Sequence, residues 1–373
     1  MNGSRILFVC TQMEAGGVQR RSTAMCGALR SKGLDCRVIF LYRKRGAYDD
    51  LDFCKSLLPA KPRGPADLCK AVFRLFKEIR AHRPTAVVGM AHYSSPLASI
   101  AAALAGVPNR VATQTNPPGS VPLIGRALDL LCGVAGIYTS NICASESIEA
   151  EFSRYPERYR KTLRTVVNGV DPSPSMPPET ASYTALRDRL AKSARPVIMN
   201  CGRLSKQKNQ SFLIDCMRDL DANLVIVGEG ELRQEIEARI SQLGLEGKVI
   251  LVGEVPPSQV GAYLALGDIF AFPSHFEAFG LVAVEAMRAG LPLVCSDHPA
   301  LREVVGDAGI LLPPTDRNSW VKTLSELACD PPRMALLSEK GADRAQLFSF
   351  DRMLHGFEEE MSKISTEAVS SQE

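Results

Sequence analysis

The chain has 373 residues, 45% of them apolar and 6% aromatic, with 28 Gly and 24 Pro spread along it, which excludes gross disorder and is too long for one ordinary hydrophobic core. No run reaches the roughly 18–20 apolar residues of a membrane-spanning helix; the nearest, residues 96–107 and 127–137, read as buried helices, and without a secretion signal at the start a cytoplasmic location is expected. The net charge of +3 is uneven: residues 1–170 hold 24 Lys/Arg against 12 Asp/Glu, so the remainder carries −9.

In chain order, apolar runs at 6–10, 37–41, 86–90, 111–113 and 142–144 read as strands, with helical patterns at 18–31, 67–80, 96–105 and 123–136 between them. Such alternation predicts a mostly parallel sheet covered on both faces. Asp171-Pro-Ser-Pro-Ser-Met-Pro-Pro-Glu-Thr cannot continue a helix or a central strand and reads as the crossing between domains. The alternation then resumes with strands at 197–201, 224–227, 249–252, 269–272 and 293–295. The expectation is α/β throughout: two doubly wound domains, 1–170 and 171–345, followed by a closing helix and polar tail over 346–373, with the helix near 344–361 and fraying from about Ser362.

Open α/β sheets bind ligands beyond the carboxyl ends of their strands, so residues just after each apolar run carry most information. After the 269–272 run come Glu277, Phe279, Gly280, Leu281 and Glu285, with Gly290 and Pro292 as stop signals. Glu277 then sits in a loop ahead of a helix and Glu285 inside its early turns, while free N–H groups around Phe279–Gly280–Leu281 suit a phosphate. After the 197–201 run, Arg203 can fork onto phosphate oxygens and Lys208 is a point charge for a departing diphosphate. After the first run, Gly16 and Gly17 let backbone approach a ligand closely, or simply make a tight turn.

Together these sites resemble the large retaining glycosyltransferase family 4 of GT-B fold, through nearly the whole chain. The most specific element is E-x7-E, matched by Glu277 and Glu285; Asn168-Gly169-Val170-Asp171 and Gly228-Glu-Gly230 also look like the family. The resemblance implies two Rossmann-like domains facing a cleft, an N-terminal acceptor domain and a C-terminal domain for a UDP- or GDP-linked sugar. It further implies that Glu277 meets the donor sugar, Glu285 the ribose, and Arg203 with Lys208 the diphosphate, with Gly16 and Gly17 lining the N-terminal side. Anomeric configuration would be kept, and no metal or other cofactor is expected. Family members often carry a histidine in an N-domain loop; this chain has Gln114 there and His92 after an earlier strand, and both stand as candidates for the polar catalytic position.

The charge asymmetry suggests a glycan or lipid-linked acceptor, or an anionic membrane surface. The amphipathic stretch 67–80, with Lys70, Arg74 and Lys77 on one face and Arg43-Lys-Arg45 to strengthen it, is either a solvated helix or a docking patch. No aromatic-plus-basic pattern points to nucleic acid. Gly228-Glu-Gly230 lacks the third glycine of a dinucleotide site, and Asp50-Leu-Asp52 and Asp219-Leu-Asp221 read as surface charge. Eleven scattered cysteines without a C-x-x-C pair read as small core residues. A nucleotide-sugar epimerase and a non-catalytic binding protein of the same fold remain the alternatives.

Overall fold

The computed structural model describes residues 4–14, 16–170 and 176–370, with side chains as far as Ile364 in the last helix. The start of the expected crossing, residues 171–175 including Asp171, lies outside the described residues. The chain divides into two compact units, Met1–Val167 with Met353–Glu373, and Asn168–Arg352.

The first unit holds seven strands, β1 (Arg5–Met13), β2 (Asp35–Arg43), β3 (Cys54–Leu58), β4 (Ala86–Met90), β5 (Asn109–Gln114), β6 (Ser140–Cys143) and β7 (Leu163–Thr165). They lie in the order β3-β2-β1-β4-β5-β6-β7, all pairs parallel. Parallel neighbours need a crossover, and four long helices supply most of them: α1 (Gly17–Ser31), α2 (Pro65–His82), α3 (Ser94–Leu104) and α4 (Leu123–Val134). The second unit holds β8 (Val197–Cys201), β9 (Asn223–Val227), β10 (Val249–Gly253), β11 (Ile269–Phe272), β12 (Leu293–Ser296) and β13 (Gly309–Leu312), again parallel, in the order β10-β9-β8-β11-β12-β13. The central strands read as unbroken apolar runs because helices cover both faces; Ile6 to Cys10 and Leu224 to Val227 are essentially inaccessible.

Each sheet reverses its direction of growth once, between β1 and β4 and between β8 and β11. At such a reversal the two crossover connections leave on opposite faces, and a crevice opens beyond the strand ends. Gly16 and Gly17 follow β1, His92 follows β4, Arg203 and Lys208 follow β8, and Glu277 follows β11; Gln114 instead ends β5, and Gly228 and Gly230 follow β9.

Two expectations need correction. The helix expected over 344–361 is two elements: a helix Pro331–Ala345, a short 3₁₀ turn, and a last helix Phe350–Ser370 that runs on past Ser362. The interruption arises because Val170 bonds the backbone on either side of it, donating to Phe348 O (2.8 Å) and accepting from Phe350 N (3.0 Å). Ser349 is thereby held extended, and its hydroxyl caps the new helix at Arg352 N (3.3 Å). From Met353 the last helix packs into the first unit, placing Phe357 against Phe8 with ring centroids 5.8 Å apart. The second correction concerns residues 127–137: α3 is buried as expected, but α4 turns Leu123, Ile124 and Leu131 outward, because Gly125, Asp129, Cys132 and Gly133 occupy its inner side.

Candidate functional site

The loops leaving β8 and β11 are fastened together by backbone and amide groups. His275 N donates to Gln207 O (2.8 Å), and Gln207 Nε2 donates to Phe276 O (2.9 Å). Asn209 adopts a left-handed conformation (φ 56°) ahead of the helix Gln210–Cys216, and its amide donates to Pro273 O (3.1 Å) and Pro314 O (3.2 Å). Asn is among the few non-glycine residues that tolerate this conformation, and here it ties the exits of three strands together.

This fastening brings Lys208 to Glu277. The lysine stem lies over Gly202, where a Cβ would sit 3.2 Å from Lys208 Cε, and its Nζ reaches Glu277 Oε1 at 2.5 Å. Glu277 is 8% exposed and Lys208 17%, so the pair is largely withdrawn from water. The ammonium also sits 4.8 Å from the centre of the Phe272 ring, whose face favours a cation. The carboxylate makes itself felt at Cys295, whose thiol is pushed up chiefly by burial and further by Glu277.

His298, which sequence reasoning passed over, belongs to the same edge. It leaves β12 as Glu277 leaves β11, the neighbouring strand, with Phe272 and Cys295 in register. Burial holds its imidazole below the ordinary range, opposed by the fields of Glu277 and Asp297 and assisted by those of Lys208 and Arg302. Its Nε2 and the hydroxyls of Ser274 and Ser296 are buried without a hydrogen-bond partner among the described residues. Ser296 ends β12, and Ser274 and His298 each stand two residues beyond the last residue of β11 and β12 respectively. The only signal in the sequence was a histidine just past a short apolar run.

Gly228 and Gly230 have a packing reason. A Cβ on Gly228 (φ 144°) would lie 2.1 Å from Gly202 O, and one on Gly230 would lie 2.3 Å from Leu204 O. Without side chains, the exit of β9 bonds the loop after β8 directly: Gly202 N to Val227 O (2.9 Å), Leu204 N to Glu229 O (3.2 Å) and Leu232 N to Leu204 O (3.1 Å). Arg203 stands on this fixed loop, exposed, with no ion pair among the described residues.

Gly280 (φ 92°) precedes the helix Leu281–Arg288 in a left-handed conformation that only glycine adopts freely. Phe279 turns its ring inward onto Phe348, centroids 5.4 Å apart, so only its backbone faces the loop. Leu281 opens the helix, and Glu285, half-buried, begins its second turn. The structure therefore gathers Lys208 and Glu277 in direct contact, puts Arg203 on an adjoining loop, and sets Gly280, Leu281 and Glu285 on the following helix.

In the first unit, Gly16 precedes α1 and Gly17 opens it; a Cβ on Gly16 would fall 2.5 Å from Gln19 Oε1. Beside them Gln12 accepts from Tyr42 Oη (2.5 Å), and Glu14 accepts from Lys44 Nζ (2.6 Å). His92 lies just beyond β4, with Nδ1 3.4 Å from Asn116 Nδ2, and burial lowers its pKa. Gln114 is placed differently: it is buried, and its Nε2 donates to Asp129 Oδ1 (2.9 Å) and Tyr159 Oη (3.1 Å). It packs, whereas His92 stands at the strand edge.

Of the Asp-x-Asp carboxylates, Asp52 is engaged by Arg30 (3.0 Å), Asp221 by Arg195 (2.6 Å), and Asp219 by Arg317. Eight of the eleven cysteines are buried. Among the described residues no group of three His, Cys, Asp or Glu side chains is placed to hold a metal, and no helix is long and apolar enough to cross a membrane.

Comparison with known proteins agrees with this architecture. Residues 15–174 match the family described as Glycosyltransferase Family 4, and residues 183–344 match Glycosyl transferases group 1. A D-inositol 3-phosphate glycosyltransferase of Xylanimonas cellulosilytica is 31% identical over 201 residues, 51% of this chain and 48% of that protein. The N-acetylgalactosamine-N,N'-diacetylbacillosaminyl-diphospho-undecaprenol 4-alpha-N-acetylgalactosaminyltransferase of Campylobacter jejuni is 35% identical over 46% of this chain and 47% of its own. The chain thus spans about half the length of these curated relatives. Among solved structures, Anabaena HepE in complex with UDP and glucose superposes with a TM-score of 0.83 at 20% identity, covering 96% of this chain and all of that one. Sucrose-phosphate synthase from Thermosynechococcus elongatus gives 0.79 at 18% identity over 99% of this chain and all of its own. With both units matched in sequence and the pair of parallel sheets matched in structure, the chain belongs to glycosyltransferase family 4 and has the GT-B fold.

Proposed function

We propose that this protein is a retaining glycosyltransferase that moves a hexosyl group from a UDP- or GDP-linked sugar to a hydroxyl of a glycan or lipid-linked acceptor, in cell-surface glycan or glycolipid synthesis. The observation that carries the reading is the Lys208–Glu277 contact of 2.5 Å at the point where the second sheet reverses. A carboxylate and an ammonium held this close, largely out of water, form a site whose two charges are matched to a ligand with sugar hydroxyls at one end and phosphates at the other. The HepE structures containing UDP, and UDP-glucose, support a uridine donor, and the name of the Campylobacter relative supports a lipid-linked acceptor.

In this reading Glu277 accepts hydrogen bonds from donor-sugar hydroxyls and Glu285 from the ribose. Arg203 and Lys208 meet the diphosphate, aided by the free N–H groups of Gly280 and Leu281. As the anomeric C–O bond breaks, its electrons pass to the leaving phosphate oxygen, and the two cations stabilise that charge without a metal. The acceptor oxygen bonds to the anomeric carbon from the face the diphosphate leaves, and its proton passes to the departing phosphate. Gly16 and Gly17 are assigned to donor binding, and His92 is assigned the catalytic polar position of the first unit. The reading also carries a cytoplasmic location with peripheral contact to the membrane.

The test is turnover of UDP-, GDP- and ADP-sugars by the full chain, with and without EDTA, repeated on Glu277→Ala and Lys208→Ala. Loss of an oriented charge at such a site costs about 10²–10³ in rate. An active donor whose turnover ignores both substitutions would overturn the site, and activity abolished by EDTA would overturn the metal-free assignment.

A further inference from the structure

Helix α4 is built inside out. Its buried side carries Gly125, Asp129, Cys132 and Gly133, while Leu123 (73% exposed), Ile124 (86%) and Leu131 (65%) face solvent, joined by Ala127 and, just past the end, Ala135. Positions 123, 127, 131 and 135 repeat every four residues, so they line one face. An ordinary surface helix has the opposite polarity.

The inversion is locked. Asp129 accepts from Gln114 Nε2 (2.9 Å), Tyr138 Oη (3.0 Å) and Tyr159 Oη (2.6 Å), and burial raises its carboxyl above the usual range. Gly133 lies against Tyr159 so closely that a Cβ would meet the ring at 2.1 Å, and one on Gly125 would meet Val121 at 3.2 Å. Turning the leucines inward would pull a thrice-bonded carboxylate out of its site and drive larger side chains into Tyr159. The apolar face is therefore permanently presented.

The charges around it select the occupant. From 117 to 135 the one acidic residue is the buried Asp129, and the one basic residue, Arg126, is exposed. At the far end Arg158 lies over Gly136, its Nη2 2.8 Å from where a Cβ would be. A second copy of the chain would bring the same arginines, and Glu157, the exposed carboxylate beside Arg158, is already held by Lys161 (2.9 Å). Anionic phospholipid offers both an apolar layer and phosphates to meet the arginines. The patch of α2 with the 43–45 run is less suited: on α2 Arg74 is held by the carbonyl of Leu57 (2.5 Å), and in the run Arg43 is held by Asp49 (2.5 Å) and Lys44 by Glu14 (2.6 Å).

We propose that α4 is the membrane-contact face of this protein, with Leu123, Ile124 and Leu131 entering the boundary between headgroups and acyl chains of an anionic bilayer and Arg126 and Arg158 engaging lipid phosphates. The inference names the surface for the peripheral membrane contact in the functional reading, and its test uses no turnover, so either can fail without the other. The full chain is co-sedimented with vesicles of phosphatidylcholine and phosphatidylglycerol, or of phosphatidylcholine alone, with melting followed by circular dichroism to confirm that variants fold. Wild type pellets with the anionic vesicles; the Ile124→Ser/Leu131→Ser double variant loses more than about tenfold in partitioning, and Arg126→Ala about fivefold, at unchanged melting temperature. Lys70→Glu on α2 retains binding. The proposal is overturned if wild type ignores vesicles, if the α4 variants bind as wild type does, if Lys70→Glu alone abolishes binding, or if light scattering shows a dimer that the double variant dissolves while vesicles are ignored.

Discussion

Removing one partner of the Lys208–Glu277 pair should destabilise the second unit by an amount that removing both does not double. Lys208→Met leaves a carboxylate that is 8% exposed without its cation, and Glu277→Gln leaves an ammonium facing a neutral amide. Breaking a fully buried pair costs about 3–5 kcal/mol; because Lys208 keeps 17% of its surface, about 2–3 kcal/mol is expected for the methionine variant, and roughly 1 kcal/mol for the glutamine, which still accepts a hydrogen bond. The double variant should recover about 1–2 kcal/mol of the sum, the signature of a direct contact. The chain offers its own reporter: its single tryptophan, Trp320, is fully buried in the second unit, with Nε1 donating to Pro313 O at 2.9 Å. Urea unfolding of the full chain followed by Trp320 fluorescence gives all four corners of the cycle. Additivity within about 0.5 kcal/mol would refute the pairing.

Gly228→Ala should cost at least about 2 kcal/mol in the same assay and lower donor turnover, since its Cβ would meet the Gly202 carbonyl at 2.1 Å on a positive-φ backbone; unchanged stability would contradict the close approach of the two loops. His298 gives a pH dependence. Its folded pKa lies below the free value of about 6.5, so in that window the unfolded chain binds more protons, and the stability it supports above pH ~6.5 is lost as pH falls through the window. Glu277, Asp297, Lys208 and Arg302 are the charges around it, and His298→Gln should flatten the fall in Trp320-reported stability between pH 7 and 5; an unaltered slope would remove His298 from that edge.

What could be read from the sequence were features written in short stretches. Apolar runs bounded by turn residues mark the central strands, and the order of strands and helices then puts Lys208 and Glu277 beyond β8 and β11. What could not be read depends on distant partners. Gln114 and His92 look equivalent as polar residues after strands, and only the arrival of Asp129 and Tyr159 makes one of them packing. Residues 127–137 look like a core helix because they are rich in apolar residues, yet the side of the helix that is buried depends on Gly133 lying against Tyr159, 26 residues later in sequence. The break at Ser349 follows from Val170, which no local propensity reports.

The last helix gives the first unit an unusual dependence on chain order. Phe8 in β1 packs against Phe357, and Lys32 after α1 reaches Glu358 at 2.8 Å, although the whole second unit is translated between them. A ribosome therefore exposes the first sheet long before the segment that covers this side of it exists. The nascent first unit must wait with an apolar flank uncovered, and a premature stop anywhere in the second unit removes part of both.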